Sequence, residues 1–273
     1  MNAFERLQTV VQGQYLPTGS VIHRLDPRAR LLGLLLLLVG ITAAPSLWGA
    51  LAGLALAFIL LLMARVPLGY AIRSLLAPLP FLLFIAALQV LFSPTGQTDW
   101  FARGILRVNA AGALLAGRLL LRFAALILLL SLSAACISSA ELMRALQALL
   151  RPLARLGLPV TDGVLALQVS LHFLPFLGEV AARVAKAQAA RGAEWGSGRG
   201  GPLSRARQAL PLIVPIFLNA LRKAETLADG MLSRAYGSQP QRTALVQLRF
   251  TPGDALALLL AALAAAGVFM IRI

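Results

Sequence analysis

Apolar residues along this chain come in blocks rather than stripes. Leu31 to Ala44 is almost wholly apolar, and Leu47 to Ala64, Leu79 to Phe92, Ala110 to Ile137 and Ala255 to Ile271 repeat the pattern. Helices greasy on every side are expected from such blocks, and their lengths suit a bilayer. The first opens at Asp26-Pro27-Arg28-Ala29-Arg30, where Asp suits an N-cap and Pro the first turn. Counted from Pro27 it has 18 residues, about 27 Å at a helical rise of 1.5 Å per residue. Arg28 and Arg30 would snorkel toward the interface. Leu31 to Val39 before Ala43-Ala44 could also serve as a signal-peptide core, but the long polar start and the capping signals favour a retained helix.

Pro45-Ser46 turns the chain into the second span, which closes at Arg65-Val66-Pro67. Leu68 to Pro80 holds Arg73, Pro78 and Pro80, too broken to span, and reads as an interfacial connection into the third span. Ser93 to Trp100 is a loop, with Trp100-Phe101 suited to an interfacial anchor. A fourth helix runs from about Arg103 to Ile137, interrupted by Arg118 and Arg122 one turn apart on one face. Charges at that depth face protein or water rather than lipid. They would either hold this helix to the basic region beyond it or mark a deep interface.

From Ser138 to Phe250 the pattern becomes amphipathic. Ser138 and Glu141 have capping-box spacing and open a helix to about Leu156, kinked or stopped at Pro152. Gly157-Leu158-Pro159 breaks it. A second helix covers about Asp162 to Arg191, with Glu179 and Arg183 in the favourable i,i+4 order, and the Gly-rich stretch Gly196 to Pro202 follows as a linker. A third runs from about Leu203 to Tyr236, bent at Pro211 and Pro215. The apolar parts Val164 to Phe176 and Ala209 to Leu221 are too short to span upright and would lie in the interface or pack as a buried pair. Ala181, Ala185 and Ala189 have the small-xxx-small spacing of closely crossing helices, although an ordinary packed face fits equally. Asp254 then caps the last span.

Composition sharpens this picture. Of 273 residues, 59% are apolar and 13% charged, with a mean hydropathy of +0.82. A soluble fold of this size would expose large apolar patches, so soluble enzyme classes are excluded. The net charge is +15, and the region from Ser138 to Phe250 carries 14 basic against 6 acidic residues, a net +8. Arg24, Arg28, Arg30, Arg65, Arg73 and this region fall on one side of the spans, which identifies that side as cytoplasmic. Nucleic acid is not needed to explain the charge. Cys136 is alone, His23 and His172 are far apart, and neither Lys186 nor Lys223 follows a Gly as a phosphate loop requires. No catalytic group, no metal site and no ATPase motif is read from the chain.

Two helices of the basic region end alike, at Ala189-Ala190-Arg191-Gly192 and at Leu232-Ser233-Arg234-Ala235-Tyr236-Gly237. For either alone, a cation on the helix C-terminal dipole with a Gly cap is sufficient explanation. Repetition favours a second one, in which small neighbours let each end enter a groove where the guanidinium fork pairs with carboxylates. Two such ends fit a partner with two similar grooves. Glu225 and Asp229, one turn apart, read as partners for Arg222 or for the facing helix rather than as catalytic acids.

The ordered set Ser138-Ser139-Ala140-Glu141-Leu142, Leu150-Arg151-Pro152-Leu153, Gly157-Leu158-Pro159, Phe173-Leu174-Pro175, Ala187 to Gly192 and Ala224 to Arg234 resembles the transmembrane T component (EcfT/CbiQ-like) of energy-coupling factor (ECF) transporters. Gly19 to Arg28 resembles the opening of the same proteins, so the likeness covers roughly residues 15 to 240. The resemblance implies an all-α membrane protein with about five transmembrane helices and three cytoplasmic or interfacial coupling helices. Residues 1–137 would hold four spans, 138–250 the coupling helices and 251–273 a C-terminal span.

By the same resemblance the chain is a non-catalytic, multi-pass subunit of a prokaryotic plasma membrane with its coupling region in the cytoplasm. It links two ABC-type ATPase subunits to a substrate-binding S component. Arg191 and Arg234, with Ala190, Gly192, Ser233 and Ala235, would dock on the ATPases, supported by Arg222, Glu225 and Asp229. ATP and Mg would be bound by those partners and no cofactor by this chain. The cargo, a vitamin or a cobalt or nickel ion, is chosen by the S component. Ser233 and Ala235 stand where the family often has Ala and Gly, and His172 where an Arg is often found. An insertase or scaffold with a basic cytoplasmic region is the alternative.

Overall fold

The computed structural model describes residues 15–92, 99–103, 106–154, 156–157, 160–192, 202–238 and 248–271. Its elements are α1 (Val21–Arg24), α2 (Pro27–Ala43), α3 (Leu47–Met63), α4 (Leu68–Leu76), α5 (Leu79–Leu91), β1 (Asp99–Arg103), β2 (Leu106–Asn109), α6 (Ala110–Cys136), α7 (Ser139–Ala154), α8 (Val160–Ala190), α9 (Pro202–Ser233) and α10 (Pro252–Met270). This is an all-α membrane architecture with one added hairpin. By length and composition α6, α8 and α10 can each cross a membrane, and α4 with α5, bent by 52° at their junction, can form a fourth crossing. The apolar α2 and α3 are shorter, at 17 residues each.

The chain divides into two compact units, one of Gln14–Leu158 with Leu248–Ile273 and one containing Pro159–Gln247. The first is a bundle centred on α6, which packs against α2, α3, α4 and α5, while α10 runs along α2. Its core is built from Ile41, Leu61, Leu129, Leu132 and Cys136, with Ala44, Ala57, Ala64, Ala125 and Ala135 filling the narrow places. Close approach is bought with glycine. A Cβ on Gly40 would lie 2.7 Å from the Ala265 Cβ and 2.8 Å from its Cα, and one on Gly53 would lie 2.9 Å from Ile41. Even a methyl group at Gly40 would therefore push α10 off α2.

Local signals explain the helix starts. Asp26 Oδ1 accepts from the Arg28 N–H at 2.9 Å with Pro27 at the first position, as the sequence predicts. Ser138 and Glu141 form the expected reciprocal box, the Ser138 N–H donating to Glu141 Oε2 at 3.1 Å and the Glu141 N–H to Ser138 Oγ at 3.3 Å.

Three expectations are corrected. The fourth helix starts at Ala110 rather than Arg103, because Asp99–Arg103 and Leu106–Asn109 pair as an antiparallel hairpin in which Phe101 faces Val108. Asp254 is not the N-cap of α10. That position belongs to Thr251, whose N–H and hydroxyl donate to Asp254 Oδ2 at 2.7 and 2.6 Å from one turn ahead. Arg30 does not snorkel but is buried in the bundle. The expected loop at Ser93 to Trp100 falls largely outside the described residues, as does the linker Gly196 to Gly201.

Candidate functional site

In the second unit α8 and α9 pack on one another. Lys223 Nζ lies 5.6 Å from the centre of the Phe176 ring, a cation–π contact between the two helices. Pro175 in α8 and Pro211 and Pro215 in α9 lie inside continuous helices. Ala185 is buried, Ala181 half-buried and Ala189 exposed, so the alanine stripe is covered only in part. From this contact α8 continues from Phe176 to Ala190, about 21 Å, and α9 from Lys223 to Ser233, about 15 Å.

Each rod finishes the same way. After α8, the Arg191 N–H donates to the Gln188 carbonyl and the Gly192 N–H to the Ala189 carbonyl at 3.0 Å, with Gly192 left-handed at φ 86°. After α9, the Ala235 N–H donates to the Leu232 carbonyl and the Tyr236 N–H to the Met231 carbonyl, both at 2.9 Å, with Ala235 at φ 55° and Gly237 at φ 90°. Gly adopts such angles freely, whereas Ala at 235 costs conformational strain. Ala190, Arg191, Gly192, Ser233, Arg234 and Ala235 are all exposed. Both guanidinium groups thus stand at exposed helix ends among small side chains.

Arg222, Glu225 and Asp229 are exposed on α9, and among the described residues the only salt bridge lies elsewhere, between Arg30 and Glu141. Their spacing permits pairing, but long exposed side chains gain little from it. His172 is exposed on α8. The apolar residues of both helices also face outward: Phe217 and Val214 are each 61% exposed, and Leu210, Ile213, Leu218, Leu171 and Leu174 follow suit.

The bundle contains a polar node that sequence reasoning missed. Arg30, its side chain 2% exposed, donates from Nη2 to Glu141 Oε1 at 2.9 Å and from Nη1 to the Cys136 carbonyl at 2.6 Å. One arginine so ties α2 to the end of α6 and the start of α7. Burial pushes the Glu141 carboxyl up, but bonds from Arg30 and Ser138 and the Arg30 charge hold it below the usual carboxylate range. Beside it the Asp26 N–H donates to Asp254 Oδ1 at 2.8 Å, stitching α2 to α10. His23 donates from Nε2 to the Leu16 carbonyl at 3.0 Å and meets Ser20 Oγ through Nδ1 at 2.8 Å. That tautomer follows because a carbonyl can only accept. The Thr18 hydroxyl donates to the Ala64 carbonyl at 2.7 Å and the Leu16 N–H to the Ala135 carbonyl at 3.0 Å, closing the same end of the bundle.

Arg118 and Arg122 both turn to backbone within the bundle. They donate to the Pro45 and Ala44 carbonyls, the turn between α2 and α3 at the opposite end from Arg30. Their spacing put them on one face; only the fold reveals what that face meets.

Comparison with known proteins gives a consistent result. Residues 18–245 match the family CbiQ, described as cobalt transport protein. The chain is similar to the energy-coupling factor transporter transmembrane protein EcfT of Brevibacillus brevis, 37% identical over 250 residues that cover 91% of this chain and 92% of that protein. The EcfT protein of Thermosediminibacter oceani is 33% identical over 266 residues, covering 97% and 99%. That of Thermanaerovibrio acidaminovorans is 34% identical over 270 residues, covering 97% of each.

Proposed function

Because the chain belongs to the CbiQ family, we propose that it transmits the motion of two cytoplasmic ATPases to a separate substrate-binding membrane S component. It is the transmembrane component of an energy-coupling factor transporter, and the coupling role refines that statement. The observation that supports it best is the pair of matching helix ends, each an exposed arginine among small residues at a left-handed cap. Nothing in the fold of α8 or α9 requires those guanidinium groups, whereas a partner groove lined with carboxylates does. Ala190, Gly192, Ser233 and Ala235 keep the approach free of bulk.

The outward apolar face of α8 and α9 supports the other half of the role. Large side chains such as Phe217, Val214 and Ile213 remain uncovered, and a contiguous apolar surface of this kind marks a membrane or protein contact. We assign it to the platform on which the S component rests, so that closure of the ATPases tilts two crossed rods and moves the carrier. The chain does no chemistry, and ATP and Mg belong to the partners. The cargo is a vitamin or a transition-metal ion such as cobalt, selected by the S component. The ends bearing Arg191 and Arg234 lie on the cytoplasmic side, as the arginine bias predicts.

Co-expression with the ATPase subunits tests the reading. The Arg191→Glu/Arg234→Glu chain should insert normally yet fail to co-purify with the ATPases and to support ATP-driven uptake. Normal assembly and uptake in that variant would refute the coupling role.

A further inference from the structure

At the bundle end opposite Arg30, two cations are left unused by the coupling reading. Arg118 and Arg122 each spend one N–H on a backbone carbonyl of the turn between α2 and α3. A guanidinium has five such donors, so most remain to be satisfied. Arg122 Nε is buried with no partner among the described residues. Between α5 and α6 the two side chains line a cleft completed by Gln89, Leu115, Leu119 and Phe123. None of these lining residues is acidic. Among the described residues the one ion pair, Arg30 with Glu141, is at the other end. Like charges one turn apart on an otherwise apolar helix are costly until an anion neutralises them.

We infer that this cleft binds the phosphate of an anionic phospholipid drawn from the leaflet on the side of the α2–α3 turn. Guanidinium forks match phosphate oxygens in a bidentate geometry, and the Gln89 amide adds a donor for an ester or glycerol oxygen. The depth agrees, since the carbonyls that orient both arginines belong to the residues that end α2. The walls favour a lipid over a soluble anion. Leu115, Leu119 and Phe123 are apolar, and on α5 the side chains of Phe84 and Leu88 stay exposed, a track for an acyl chain. The bound lipid would staple α5, α6 and the turn together, where the described residues lining the cleft supply no counter-charge.

Thermal unfolding of the purified full chain in a neutral detergent tests the site, with dioctanoyl phosphatidylglycerol, dioctanoyl phosphatidylcholine or inorganic phosphate added. Phosphatidylglycerol should raise Tm saturably, with phosphatidylcholine binding about tenfold more weakly and inorganic phosphate giving no saturable rise. Arg118→Gln/Arg122→Gln should lose the response. Gln89→Leu leaves both arginine–carbonyl bonds in place and should weaken it about tenfold, so a misfolded double variant does not end the test. Equal stabilisation by phosphatidylcholine, or an unchanged affinity in Gln89→Leu or in the double variant, overturns the proposal. A matching response to inorganic phosphate overturns it in favour of a soluble anion. Unchanged lipid response with lost assembly onto the partner membrane component overturns it in favour of a partner's carboxylate.

Discussion

Around the start of α2 the charged side chains of the bundle turn inward and find partners, whereas those of the α8–α9 pair face outward. Arg30, Glu141, Asp26 and Asp254 are bound to one another or to backbone at the α2 start. Arg191, Arg222, Glu225, Asp229 and Arg234 are exposed along the two rods. The bundle has a fully buried apolar set, Ile41, Leu61 and Leu129, beside exposed side chains such as Phe81 and Phe84, whereas on α9 Phe217 and Val214 lie in the open. The rods are long, internally hydrogen-bonded helices whose charged side chains stay exposed.

Breaking the bundle should have the largest effect on stability. Arg30→Ala removes the charged partner of half-buried Glu141 and the donor to the Cys136 carbonyl and should cost about 3 to 5 kcal/mol, read as a fall in Tm of the chain in detergent. Its counterpart on the rods, Arg191→Glu with Arg234→Glu, should leave Tm within experimental scatter. Instead it should weaken ATPase association by about 2 to 5 kcal/mol per site, measured by titrating the subunits onto nanodiscs. Gly40→Val should cost about 1 to 3 kcal/mol through overpacking against Ala265, with no comparable loss from Gly230→Val, where space is open and only helix propensity changes.

Acid should sharpen the contrast further. Glu141 has its folded pKa lowered, so its contribution is present above the ordinary carboxylate range and fades as pH falls through the folded value. The Tm gap between the wild-type chain and Glu141→Gln should therefore narrow on acidification. Smallest of all, Phe217→Ser should change stability by no more than about 0.5 kcal/mol, because that ring is already in the open. Its effect should appear only in retention of the S component.

Much of this contrast was legible in the sequence. Apolar blocks bounded by Asp-Pro, Pro-Ser and Gly signals placed most helices within a few residues, and the Ser138/Glu141 box formed as written. The hairpin was not, because Leu106-Arg107-Val108-Asn109 is a short alternation joined directly to a long helix, and helical periodicity absorbed it. Nor was the Arg30–Glu141 pair, whose members are 111 positions apart. Sequence spacing reports neighbours on one helix and is silent on which helices meet. For the same reason Arg118 and Arg122 could be placed on a face but not given a destination. The two arginine ends were visible because repetition is a local signal.

The stitch between Asp26 and Asp254 spans 228 positions, and Gly40 meets Ala265 across the same seam. During synthesis the opening helix therefore enters the bilayer long before its closest neighbour has been made. Until then its glycine-lined groove is in contact with lipid or with the insertion machinery. The seam along α2 closes only when α10 arrives, so a ribosome that stalls ahead of that point leaves that face of α2 uncovered.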